Sequence, residues 1–130
     1  MRNVGVASDG TRFGQEITVG PHLLKADEEA DKGGGGSGPG PHELLLGALG
    51  ACTSMTLRMY AERKGWPLSS VRVVLTGAAA DGKYAITRTI TMEGDLDAEQ
   101  RQRLLEIADK CPVHRTLTGE VVIQTTAVPA

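Results

Sequence analysis

PHELLLGALGACTSMTLRMYAERK, Pro41 to Lys64, is the longest helical pattern in the chain and decides how the rest is read. Leu45, Ala48, Leu49, Met55, Thr56 and Met59 stand three, four or seven residues from Cys52. They therefore share its helix face and surround the thiol with mostly apolar neighbours. The ends are legible too. Gly40 fits an N-cap and Pro41 the first helical position, where a missing N–H costs nothing, while Gly65 suits a left-handed C-cap and Pro67 stops the helix. Gly47 and Gly50 weaken the helix by about 1 kcal/mol each relative to alanine, so close approach of another backbone is expected to offset them. At 24 residues the helix is roughly 36 Å long, the diameter of a small domain, which suits a central element better than a surface one.

Outward from this helix, residues 3–7 and 15–19 read as strands joined through the Ser8-Asp9-Gly10 turn, and Leu23, Leu24 and Ala26 as part of a third. The segment from Ala26 to Pro41 is acidic, then rich in glycine, and reads as a flexible loop. It is not a phosphate-binding loop, because no Gly-Lys-Ser/Thr follows its glycines. Val71 to Leu75 and Tyr84 to Met92 form a hairpin around Asp81-Gly82. Asp97 with Gln100 resembles a capping box opening a helix that runs through Lys110. Because Cys111 precedes Pro112, that helix stops there, and residues 112 to 117 start a short new one with Gly119 at its end. Glu120 to Val128 reads as a closing strand. The order makes an α+β fold over a single domain, residues 1–130.

Composition narrows the function. Fourteen basic and sixteen acidic side chains, mixed along the chain, leave no footprint for nucleic acid or an anionic membrane. Neither a run of about 18 apolar residues nor a signal-peptide pattern is read, so a cytoplasmic protein is expected. Only four aromatic rings are present, so the core depends on aliphatic residues, and a homodimer is expected to add burial. In a reducing compartment two cysteines point to catalysis, redox chemistry or metal binding before a structural cross-link.

Local sequence favours Cys111 as the more acidic thiol, because it stands at a helix start beside Lys110, His114 and Arg115. Cys52, amid apolar neighbours, needs help from elsewhere, with Arg12, Lys32, Arg58 and Arg115 as cationic candidates. A core role for either cysteine, as a small buried hydrophobe, is the competing reading. Metal binding is a further one, since Cys111 and His114 have ligand spacing. However, His42 and Cys52 are about 15 Å apart on one helix and cannot share an ion.

Pro41-His42-Glu43-Leu44-Leu45-Leu46-Gly47-Ala48-Leu49-Gly50-Ala51-Cys52, with Cys111-Pro112-Val113 later, resembles the OsmC/Ohr family of osmotically inducible and organic hydroperoxide resistance proteins. The resemblance implies an intertwined homodimer, with antiparallel sheets around long central helices and active sites at the interface. It also implies thiol-dependent hydroperoxide reduction, with Cys52 the peroxidatic and Cys111 the resolving residue, an external dithiol as reductant and no cofactor or metal. Leu45, Leu49, Met55 and Met59 are then the wall of a pocket for an organic hydroperoxide. Where the family places a glutamate ten residues before the reactive cysteine, this chain has His42, with Glu43 next; Glu43 and Arg12 are the candidate supporting pair. The alternative is a non-enzymatic binding module whose apolar interface pocket holds a small molecule.

Overall fold

The structure, a computed structural model, describes residues 1–129, which fall into two compact units that divide after Gly47. In the first, β1 (Val4–Ser8), β2 (Gln15–Val19) and β3 (His22–Ala26) form an antiparallel meander in which Val6 faces Ile17 and Ile17 faces Leu24. All three strands match the sequence reading. Their first turn is closed by Asp9, whose carboxylate accepts from the Thr11 N–H and from Lys25 Nζ at 2.8 Å.

The glycine-rich segment, expected to be a flexible loop, is instead folded on itself. Asp27 N–H donates to Pro39 O, and the buried Asp27 carboxylate accepts from Glu28 N–H and from both the N–H and hydroxyl of Ser37. Gly33 and Gly36 take left-handed φ values of 90° and 65°, which any side chain would strain, so the glycines are required by a specific path.

The helix α1 spans Pro41–Lys64, as its sequence dictates. It ends in a Schellman motif: Gly65, with φ 69°, donates to Glu62 O, and Trp66 N–H donates to Ala61 O. By length and composition it could cross a bilayer, with a mean hydropathy of 1.2 over 18 residues, where the sequence reading had found no such run. A core helix passes the same test, and Leu49, Thr53, Leu57, Tyr60 and Ala61 are buried.

In the second unit β4 (Leu68–Ala80) and β5 (Lys83–Gly94) pair as a long antiparallel hairpin. Asp81 and Gly82 turn it with positive φ at both positions, the two-residue geometry that matches strand twist. Inward residues Val71, Val73 and Leu75 of β4 and Ile86, Ile90 and Met92 of β5 alternate with exposed threonines and Arg72. Gly50 explains one of the α1 glycines, since a Cβ there would stand 2.8 Å from Leu75 Cδ1. Nothing in the structure explains Gly47, where a Cβ would meet open space.

The helix α2 (Ala98–Ala108) opens with the expected capping box, Asp97 accepting from Gln100 N–H at 2.7 Å and Gln100 from Asp97 N–H at 3.0 Å. It ends two residues earlier than read, at an Asp109 C-cap, and Cys111 is the N-cap of α3 (Pro112–Thr118). Leu57, Tyr60, Ala61, Leu68, Leu96, Leu104, Ile107 and Ala108 close the core between these elements.

The expected closing strand is absent: residues 120–129 pair with no strand, and Val121, Val122 and Ile123 are exposed, Val122 by 77%. Their β-branched side chains favour a strand only where an edge is offered, and propensity by itself supplies no hydrogen-bond partner.

Candidate functional site

Cys52 projects from the middle of α1, and Cys111 caps the start of α3; both are free thiols in hydrogen-bonding contact with one another. The turn between α2 and α3 makes this possible. Proline at position 112 ends one helix and starts the next, aiming two main-chain donors at the two sulfurs: Val113 N–H at Cys52 Sγ (3.5 Å) and His114 N–H at Cys111 Sγ (3.4 Å).

The surroundings push the two thiols apart. Burial raises the Cys52 thiol, but the Val113 N–H, the Cys111 thiol and the Thr56 hydroxyl all favour its thiolate and together hold it below the ordinary value. Cys111, fully buried, is raised by that burial and by Cys52, against the opposing pull of the His114 N–H and the Thr53 hydroxyl. This reverses the ranking read from neighbouring charges. Proximity to Lys110, His114 and Arg115 in sequence counts for less than desolvation, and the α3 turn serves Cys52 as well as its own N-cap.

Cys52 also opens on a cavity of about 570 Å³, lined by Ala48, Ala51, Met55, Thr56, Met59, Arg63, Ile107 and Lys110 among others. Met55 and Met59 lie there as expected. Leu49 does not: it is buried on the flank of Thr53 and lines a separate cavity of about 250 Å³ with Tyr84, Ile86, Arg88 and His114. A helix apolar on nearly every side gives no periodicity by which to tell these two faces apart. The wall that replaces Leu49 comes from Ile107 and Pro112, far along the chain. Leu45 belongs to the unit of residues 1–47.

The same unit holds Glu43 and Arg12. Glu43 Oε1 accepts from Gly40 N–H at 2.7 Å, capping its own helix, and the Arg12 guanidinium lies 4.7 Å over the Phe13 ring. Of the other cationic candidates, Arg58 donates to the carbonyls of Leu68 and Ser69, a structural tie.

A guanidinium that reaches residues neighbouring the cysteines is that of Arg88, which the sequence reading overlooked. From β5 it donates to Thr53 Oγ1 at 3.0 Å, to Asp109 Oδ1 at 3.0 Å and to His114 Nδ1 at 3.1 Å. One signal was available: Arg88 interrupts the inward row Ile86, Ile90, Met92 with a charge. Among the described residues, no group of three or more His, Cys, Asp and Glu side chains is arranged to hold a metal ion.

Comparison with known proteins agrees with this architecture. The chain is similar in fold to an OsmC-like protein from Mycoplasma pneumoniae (18% identity, TM-score 0.79, covering 92% of this chain and 88% of that one). It is similar to an organic hydroperoxide resistance protein OsmC from Legionella pneumophila (21%, 0.63, 92% and 91%) and to the organic hydroperoxide resistance protein OhrB of Bacillus subtilis (22%, 0.63, 90% and 91%). No curated protein matches in sequence. The family described as OsmC-like protein matches residues 34–126, most of the chain and both cysteines, and this protein is a member of that family.

Proposed function

We propose that the protein reduces organic hydroperoxides through Cys52 and Cys111. The observation that carries this reading is the pairing of the two thiols: the one held toward thiolate faces an apolar cavity, and the one held toward thiol is buried against it. The Cys52 thiolate attacks the peroxide O–O bond, an alcohol leaves with one oxygen, and Cys52 becomes a sulfenic acid. Cys111 then attacks that sulfur, the S–O bond breaks, water leaves and a disulfide forms. An external dithiol restores both thiols by exchange. Met55, Met59 and Ile107 favour an organic hydroperoxide over hydrogen peroxide by burying its apolar part.

The protein acts as a homodimer in the cytoplasm. Supporting a second copy are the unpaired run Val121–Ile123 and the exposed Met55 and Met59. Glu43 and Arg12 remain candidates for the supporting roles that the family resemblance assigns them. The test is stoichiometric cumene hydroperoxide added to reduced protein. Two thiols per chain should be lost and an intramolecular disulfide formed, with Cys52→Ser inert and Cys111→Ser trapped as a sulfenic acid. Survival of the wild-type thiols rejects the peroxidase and leaves a cavity that only binds.

A further inference from the structure

The cluster on the far side of Cys111 is not used by the two-cysteine reaction as described. Thr53 and Cys111 are both fully buried and in side-chain contact. The Thr53 hydroxyl donates to Leu49 O at 2.7 Å and accepts from Arg88 Nη1 at 3.0 Å. The Arg88 side chain, only 12% exposed, reaches this point from an inward position on β5 and is oriented by Asp109 and His114 on its other nitrogen. A charged guanidinium on a core face, aimed at a threonine that touches a cysteine, has a chemical reading beyond packing.

We propose that Thr53 and Arg88 are positioning residues for the Cys111 thiolate, acting in both steps where that thiolate appears; the inference rests on the peroxidase reading above. The hydroxyl has one proton. With Cys111 protonated, it donates to the Leu49 carbonyl, which also keeps its helical N–H partner. When Cys111 ionises, the hydroxyl turns to the sulfur, while Arg88 still donates to its oxygen and polarises the O–H bond. No net charge has to move.

Two steps need this thiolate. In resolution, Cys111 attacks the Cys52 sulfenic sulfur and hydroxide departs as water. In recycling, burial of Cys111 leaves Cys52 Sγ as the sulfur open to the cavity. The thiolate of the external dithiol bonds to Cys52, the S–S bond breaks, and Cys111 leaves with the electron pair. The second thiol of the reductant then releases Cys52 and the reductant ends as a disulfide. A leaving thiolate that is stabilised leaves faster.

The alternative role is a purely structural tie among β5, α1, α2 and α3, and the test separates the two. In a Cys52→Ser background, the ultraviolet absorbance of the Cys111 thiolate is followed against pH. Thr53→Val, which keeps volume and loses the hydroxyl, should move the midpoint up by about one pH unit, a tenfold loss of thiolate, the scale of one hydrogen bond to a charged group. Thr53→Ser should restore it, and Arg88→Met should shift it in the same direction as Thr53→Val. In the two-cysteine protein, Thr53→Val should prolong dimedone-trappable Cys52 sulfenic acid about tenfold and slow reduction of the disulfide by dithiothreitol to a similar degree. An unmoved midpoint in Thr53→Val, or no rescue by serine, overturns the inference. Failure of the wild type to form a disulfide with peroxide overturns the functional reading instead, and the titration, run without peroxide, tells the two apart.

Discussion

The main-chain N–H of Val113, in the first turn of α3, donates to Cys52 Sγ in the middle of α1 at 3.5 Å. The Cys52 thiol is thus served by a helix other than its own. The donor belongs to the backbone, so among substitutions at Val113 only proline removes it. The pull of that N–H toward the Cys52 thiolate is therefore tied to the path of the chain through Cys111-Pro112.

That relationship sets the pH dependence. A thiol held below its ordinary value is deprotonated at lower pH, so alkylation of Cys52 by iodoacetamide should level off at a pH below that of a free cysteine, about 8.5. Below that point the rate should fall about tenfold per pH unit, as the thiolate fraction does. Cys111→Ala removes one of the groups that favour the Cys52 thiolate, and its profile should move to higher pH. A profile unchanged by the substitution would show that the Cys111 thiol contributes nothing.

Met59 lines the Cys52 cavity and is 66% exposed in the single chain, so a charged residue there should leave the core of that chain intact while disfavouring an apolar substrate. Met59→Glu is expected to lower kcat/KM for cumene hydroperoxide by about tenfold, from the loss of roughly 1–2 kcal/mol of apolar contact. Hydrogen peroxide, with no apolar part, should be affected much less. The ratio of the two rates is the measurement.

Asp97 satisfies Gln100 N–H, and Gln100 returns the bond to Asp97 N–H. Asp97→Ala leaves the Gln100 N–H without its partner, while the Gln100 side chain still accepts from the N–H of residue 97, and should cost about 1 kcal/mol in urea unfolding. Asp97→Ser, which can still accept from Gln100 N–H, should recover most of it.

Leu104, fully buried, fills the centre of the core formed by Leu57, Tyr60, Leu96 and Ile107. Leu104→Ala is expected to destabilise by about 2–5 kcal/mol, the range for a leucine truncated where neighbours relax only in part. Leu105, exposed one residue on, should lose far less on the same change.

The long helix with its two ends, the Asp81-Gly82 hairpin, the three-stranded meander and the Asp97 capping box were all legible in the sequence, because each depends on neighbours within a few residues. So was the family, from the motifs around the cysteines. Tertiary structure decided the remainder. Which thiol is held toward thiolate depends on burial and on donors from α3, and no local charge count could anticipate that. Arg88 reaches Thr53 across 35 residues of sequence, and Ile107 and Pro112 take the place expected for Leu49 on the cavity wall. The 120–128 segment has strand-forming residues but no ladder, since a strand is a relation between two stretches of chain and its composition describes only one of them.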